Sequence, residues 1–129
     1  MNRLIDSYDA AFFDLDGVIY LGPLAVEGSA GALDGLRALG KTVMFVTNNA
    51  ARAAQVVIDQ LNDLGFHADD HNVLTSAQVA VTHIASELPA GSKVLVSGSA
   101  SLAALVEEAG LVPVQTAAEE PAAVVQGYD

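Results

Sequence analysis

Cysteine is absent from this 129-residue chain, which excludes disulfides, thiolate metal sites and cysteine nucleophiles together. Tryptophan is absent too, and Phe, Tyr and Trp make up only 5% of the residues. Cations are scarce: 5 Lys plus Arg stand against 16 Asp plus Glu, a formal net charge of -11. Nucleic acids and anionic membrane surfaces need clustered cations, so neither is expected as a partner. No apolar run approaches the roughly 20 residues of a membrane-spanning helix. The first residues carry Arg3, Asp6 and Asp9 rather than the apolar stretch of a secretory signal. The expectation is a soluble, cytoplasmic protein.

Hydrophobic residues are plentiful at 52%, and the length suits about one ordinary domain. Their spacing reads as strand and helix in alternation. Ala10-Ala11-Phe12-Phe13 and Val43-Met44-Phe45-Val46 have the continuous apolar character of buried parallel strands. Between them, Ser29 is placed to cap a helix carrying Leu33, Leu36 and Leu39, with Gly40 as its stop. A second helix is expected from about Ala51 to Leu64, ending at Gly65. Val73-Leu74 is a short strand, and Ser76 opens a third helix with Val79, His83 and Ile84 in register. After Pro89-Ala90-Gly91 the pattern resumes with strand Val94–Val96, a helix through Leu102, Leu105 and Val106 to Gly110, and strands at 112–114 and 123–125. Such repetition favours an α/β fold with a parallel sheet. Val124 to Asp129 reads as a strand running into a loop with no helix to close it, so the sheet is expected to be incomplete and to expose apolar surface.

Two polar clusters fall where open α/β sheets bind ligands, at the C-terminal ends of strands. The first is Asp14-Leu15-Asp16-Gly17. A bend there can bring both carboxylates to one crevice, and their mutual repulsion would call for a hard divalent cation such as Mg²⁺. Solvated acids ending a strand would look the same. The second is Thr47-Asn48-Asn49, whose hydroxyl, carboxamides and backbone N–H groups suit phosphoryl oxygens, although an Asn-rich turn has the same composition. Arg52, one helical turn beyond Asn48, can point back to the site or lie on a solvated helix face.

Asp14-Leu15-Asp16-Gly17-Val18-Ile19-Tyr20-Leu21-Gly22, then Thr47-Asn48-Asn49 with Arg52, then Thr75-Ser76-Ala77, closely resembles the haloacid dehalogenase-like phosphatases. The subgroup is the NagD and p-nitrophenyl phosphatase group with a type C2 cap. The resemblance implies a Rossmann-like, doubly wound parallel core and a phosphomonoesterase acting on small phosphorylated metabolites. Residues 1–90 would be the first half of the core and 91–129 the start of an α/β cap. Asp14 would be the nucleophile that forms an aspartyl-phosphate, and Asp16 the acid–base residue. Mg²⁺ would be held by the Asp14 carboxylate and the Asp16 backbone carbonyl. Thr47 and Asn48 would bind the phosphoryl group with Asn49 in support, and Val18 to Leu24 would form a mobile flap. The family also uses a phosphate-binding Lys and a further acidic pair, and neither is visible here.

Other signals are read as structural. Gly98-Ser99-Ala100-Ser101 lacks P-loop spacing and is a loop with a helix cap. His67 and His71 fall in a loop, where their spacing loses geometric meaning. His83 is expected to be half-buried, and Glu107-Glu108 and Glu119-Glu120 are solvated. A receiver-type phospho-acceptor domain does not fit, because no Asp follows Val96 directly. The rival to a phosphatase is a catalytically inactive, truncated α/β module that binds or oligomerises, as a homodimer or swapped oligomer.

Overall fold

A computed structural model describes residues 3–128, so Asp129, the last residue of the expected terminal loop, lies outside the described residues. The chain forms two compact units, one of residues 3–47 and 54–74 and the other of residues 48–53 and 75–128.

The first unit is built on a sheet in the order β1 (Ala10–Phe13), β4 (Thr42–Thr47), β5 (Val73–Thr75). β1 and β4 run parallel with Phe13 opposite Phe45, and the Phe45 N–H donates to the Asn72 carbonyl at 2.7 Å. A separate antiparallel hairpin, β2 (Tyr20–Leu21) and β3 (Leu24–Ala25), follows β1. Helices α1 (Ser29–Ala38) and α2 (Ala54–Asp63) supply Leu33, Val57, Ile58 and Leu61 to a core that also holds Leu15, Val43, Phe45 and Phe66. Phe45 and Phe66 meet edge to face with ring centroids 6.5 Å apart, a geometry that adds about 0.5–1.5 kcal/mol beyond simple burial.

The second unit holds α3 (Ser76–Glu87), β6 (Lys93–Ser97), α4 (Ala100–Glu108), β7 (Val112–Val114) and β8 (Ala123–Gln126). Its sheet is parallel in the order β7-β6-β8. Ala77 and Val81 of α3 pack with Leu102 and Val106 of α4 against Val94, Val96 and Val125. The Ser99 hydroxyl caps α4 by accepting from the Leu102 N–H, as a loop-and-cap reading of that segment requires. Gly40, Gly65 and Gly110, the expected helix stops, all take left-handed backbone.

Several expectations need correction. β1 is not buried on both faces: it is the edge of its sheet, and Phe12 is 70% exposed while Phe13 is half-buried. An all-apolar strand suits two covered faces, and this chain covers one. Gly28 rather than Ser29 is the N-cap of α1, and the Ser29 hydroxyl donates back to the Val26 carbonyl at 2.6 Å. α2 begins at Ala54, not Ala51. In α3 the buried stripe is Ala77 and Val81, which leaves Val79 and His83 exposed. Ile84 packs against the core as expected, together with the small residues Ala77, Ala80 and Ala85. The hairpin was not anticipated, although Gly22-Pro23 between two short apolar pairs is a turn signal.

Candidate active site

Asp14 is the first residue after β1. Leu15 is completely buried in the core, whereas Asp14 and Asp16 on either side are exposed. Burying Leu15 therefore turns both carboxylates outward, and the hydrophobic plug is what fixes the pair. The Asp14 Oδ1 accepts the Leu15 N–H at 2.9 Å, which orients that carboxylate and leaves its second oxygen for other partners.

The chain then closes into a tight ring. The Leu15 carbonyl accepts from the N–H groups of Val18, Ile19 and Tyr20, and the Gly17 N–H donates to the Tyr20 carbonyl at 2.8 Å. Gly17 sits at φ +82°, a conformation that a residue with a side chain adopts only with strain. The Tyr20→Leu15 and Gly17→Tyr20 bonds bracket Asp16 and use neither its own N–H nor its own carbonyl. That carbonyl is thus held in a rigid loop and left available to a ligand.

Thr47 is the last residue of β4. The β1–β4 register places Asp14 one residue beyond Phe13 and Thr47 two beyond Phe45, so both lie at the same edge of the sheet. Asn48, Asn49 and Arg52 fall in the irregular connection 48–53, which belongs to the second unit. The Asn49 Oδ1 accepts the Ala51 N–H at 3.0 Å, a local turn of the kind Asn favours. Arg52 lies ahead of α2, so the helical spacing proposed between Asn48 and Arg52 does not exist.

Both lysines are engaged with backbone carbonyls. The Lys41 Nζ donates to the Tyr8 carbonyl at 2.6 Å, near the N-terminal end of β4, and the Lys93 Nζ donates to the Glu119 carbonyl at 3.0 Å. Lys41 therefore lies at the opposite end of β1 from Asp14. Among the described residues no three His, Cys, Asp or Glu side chains are grouped to hold a metal, and the loop of His67 and His71 accordingly forms no such cluster. No helix among the described residues is long and apolar enough to cross a membrane. A cavity of about 370 Å³ opens between the hairpin and the start of α1, but Phe13, Val18, Ile19, Val26 and Leu33 among its walls make it unfit for a phosphate dianion.

A family model for haloacid dehalogenase-like hydrolases matches residues 11–112. The chain belongs to this family. Over 127 residues it is 39% identical to the D-glycerol 3-phosphate phosphatase of Mycobacterium tuberculosis, covering 98% of this chain and 35% of that protein. The crystal structure of a glycerol phosphate phosphatase from the same organism, in complex with magnesium, superposes with a TM-score of 0.89 at 38% identity, covering all of this chain and 38% of that one. The 4-nitrophenylphosphatase of Thermotoga maritima gives 0.87 at 27% identity, over 99% of this chain and 48% of that one. This haloacid dehalogenase-like chain thus spans about a third to a half of the length of the relatives it matches. The α/β architecture is shared throughout that span.

Proposed function

We propose that this chain is the N-terminal part of a Mg²⁺-dependent phosphomonoesterase, acting in the cytoplasm on small phosphorylated metabolites through an aspartyl-phosphate. The observation that carries this reading is the Asp14–Leu15–Asp16 arrangement: two exposed carboxylates held apart by a fully buried leucine, at the sheet edge where β4 delivers Thr47. Phosphatase relatives that match nearly the whole chain support it.

The donor set suits Mg²⁺. An exposed carboxylate with one oxygen uncommitted to Leu15 and a backbone carbonyl spared by its flanking hydrogen bonds are hard oxygen ligands. They make up part of the octahedral set that Mg²⁺ completes with water and substrate oxygens. When bound, the ion would offset the repulsion between the phosphate dianion and the Asp14 carboxylate. Asp14 attacks phosphorus, a P–O bond forms on its carboxylate, and the ester P–O bond breaks. Asp16 gives its proton to the departing oxygen and then takes one from the water that hydrolyses the acyl phosphate. Thr47 and Asn48 hydrogen-bond the phosphoryl oxygens, Asn49 shapes the turn behind them, and Arg52 adds positive charge.

Residues 1–90 are proposed as the first half of the catalytic core and 91–129 as the start of the cap. The packing of α3 with α4 makes Thr75 the point where the chain begins to leave the first unit. The second reading, an inactive module that associates through its open sheet, is favoured by Lys41, tied to the Tyr8 carbonyl at the far end of β1 from Asp14, and by the bare Phe12 face. Hydrolysis of p-nitrophenyl phosphate by the intact protein as its source makes it, with and without Mg²⁺, separates the two. Metal-dependent turnover supports the phosphatase, and no turnover under either condition supports the module.

A further inference from the structure

Of the three sequence blocks that mark the family, Thr75-Ser76-Ala77 has no part in the chemistry above. Two of its members have structural duties. Thr75, 1% exposed, forms a reciprocal cap with Gln78: the Thr75 N–H donates to Gln78 Oε1 at 2.9 Å and the Gln78 N–H to Thr75 Oγ1 at 3.2 Å. Ala77 is buried in the second core. Ser76 is different. It is exposed, and its Oγ donates to the backbone carbonyl of Asn48 at 3.1 Å, 28 residues away in sequence.

We propose that Ser76 is a positioning residue for the Thr47–Asn49 segment, fixing the direction of the Asn48–Asn49 peptide. This rests on reading that segment as the phosphate-binding one. A trans peptide is planar, so its carbonyl and the following N–H point in opposite directions. Tying the Asn48 carbonyl to Ser76 therefore sets where the Asn49 N–H aims. The reciprocal Thr75–Gln78 cap holds the first turn of α3, and with it the serine, in place. The next two residues are pinned independently. Asn49 closes its own turn onto the Ala51 N–H, and Ala50 lies against Gly127, where an added Cβ would come within 3.4 Å of the Ala50 Cβ. Asn48 and Asn49 are thus each engaged by a hydrogen bond of their own, and Ala50 packs against the second core. The bond at Asn48 acts directly on the Asn48–Asn49 peptide, one residue beyond Thr47.

The test uses the intact protein as its source makes it, labelled for NMR, as wild type, Ser76→Ala and Ser76→Thr. Loss of the hydroxyl is expected to move the carbonyl carbon of Asn48 and the amide nitrogen of Asn49, with Phe45 and Val96 in the two cores unmoved. Threonine, which keeps the hydroxyl, is expected to restore both signals. Titration with inorganic phosphate in the presence of Mg²⁺ is expected to shift the amides from Thr47 to Ala51, with affinity roughly 2- to 12-fold weaker in Ser76→Ala, the usual worth of one hydrogen bond. Unmoved Asn48 and Asn49 signals in Ser76→Ala, or no rescue by threonine, overturn the role of Ser76 alone. An intact wild-type protein whose Thr47–Ala51 amides ignore phosphate overturns the phosphate-binding reading, and the positioning role falls with it.

Discussion

The side-chain amide of Gln60, on α2, donates to the carbonyl of Gly22 at the tip of the hairpin that follows the aspartate pair, at 3.3 Å. At its base the same hairpin is closed by the Val26 N–H donating to the Ile19 carbonyl at 2.9 Å, and the Ser29 hydroxyl approaches that carbonyl as well. The segment expected from sequence to be a flap is thus fastened at both ends, at its tip by the Gln60 side chain. Gln60→Ala is expected to speed amide exchange at Leu21 and Leu24 roughly 2- to 12-fold, while Gln60→Lys, which keeps a donor, stays near wild type. Equal exchange in all three proteins would show that Gln60 does not hold the hairpin.

Asp16 as the proton donor makes a prediction about leaving groups. Asp16→Asn is expected to slow hydrolysis of alkyl phosphates by about 10²–10⁴-fold. An aryl phosphate, whose phenolate departs without a proton, should lose less in the first step. Single-turnover rates of the first step on paired alkyl and aryl esters check this, and an equal loss on both would remove Asp16 from leaving-group protonation.

Gly127 stands where backbone and side chains crowd. A Cβ there would fall 2.9 Å from the Leu102 Cδ2 and 3.4 Å from the Ala50 Cβ. The leucine methyl can yield to one carbon, so Gly127→Ala is expected to cost little, whereas Gly127→Val should destabilise by about 1–3 kcal/mol. Urea unfolding curves measure both. A valine variant as stable as wild type would mean that the close approach is not maintained in solution.

The open face of the first sheet should be sticky. Phe12 on β1 and Leu74 on β5 are exposed on the two strands that flank β4, and among the described residues β1 pairs on one side only. The isolated chain is expected to dimerise or aggregate, and Phe12→Glu to shift it toward monomer. Light scattering decides, and a monodisperse wild-type monomer would contradict the expectation.

Much of this was legible in the sequence because hydrophobic runs and glycine stops are local signals. β1 at Ala10–Phe13 and the breaks at Gly40, Gly65 and Gly110 follow directly from residue type. The positions of Asp14, Asp16 and Thr47 at strand ends follow from the same runs. What escaped is what depends on partners. The exposed Phe12 looks like a core residue because it is chemically one, and only the coverage of the sheet decides its fate. On α3 Ile84 meets the core as expected, but Val79 does not, because alanines fill that place. Ser76 and Gln60 act across 28 and 38 residues of sequence, and no periodicity announces such contacts.

The most direct test of the central claim is to look for phosphate on Asp14. The intact protein is mixed with an aryl phosphate and Mg²⁺ and quenched in acid, and the modified peptide is located by mass spectrometry. The Asp16→Asn variant is the better trap, since aryl esters can still load it while water activation is impaired. The account predicts a phosphorylated Asp14 that disappears in Asp14→Asn together with activity, a loss on the order of 10³-fold or more. Turnover that persists in Asp14→Asn, or label on any other residue, would contradict it.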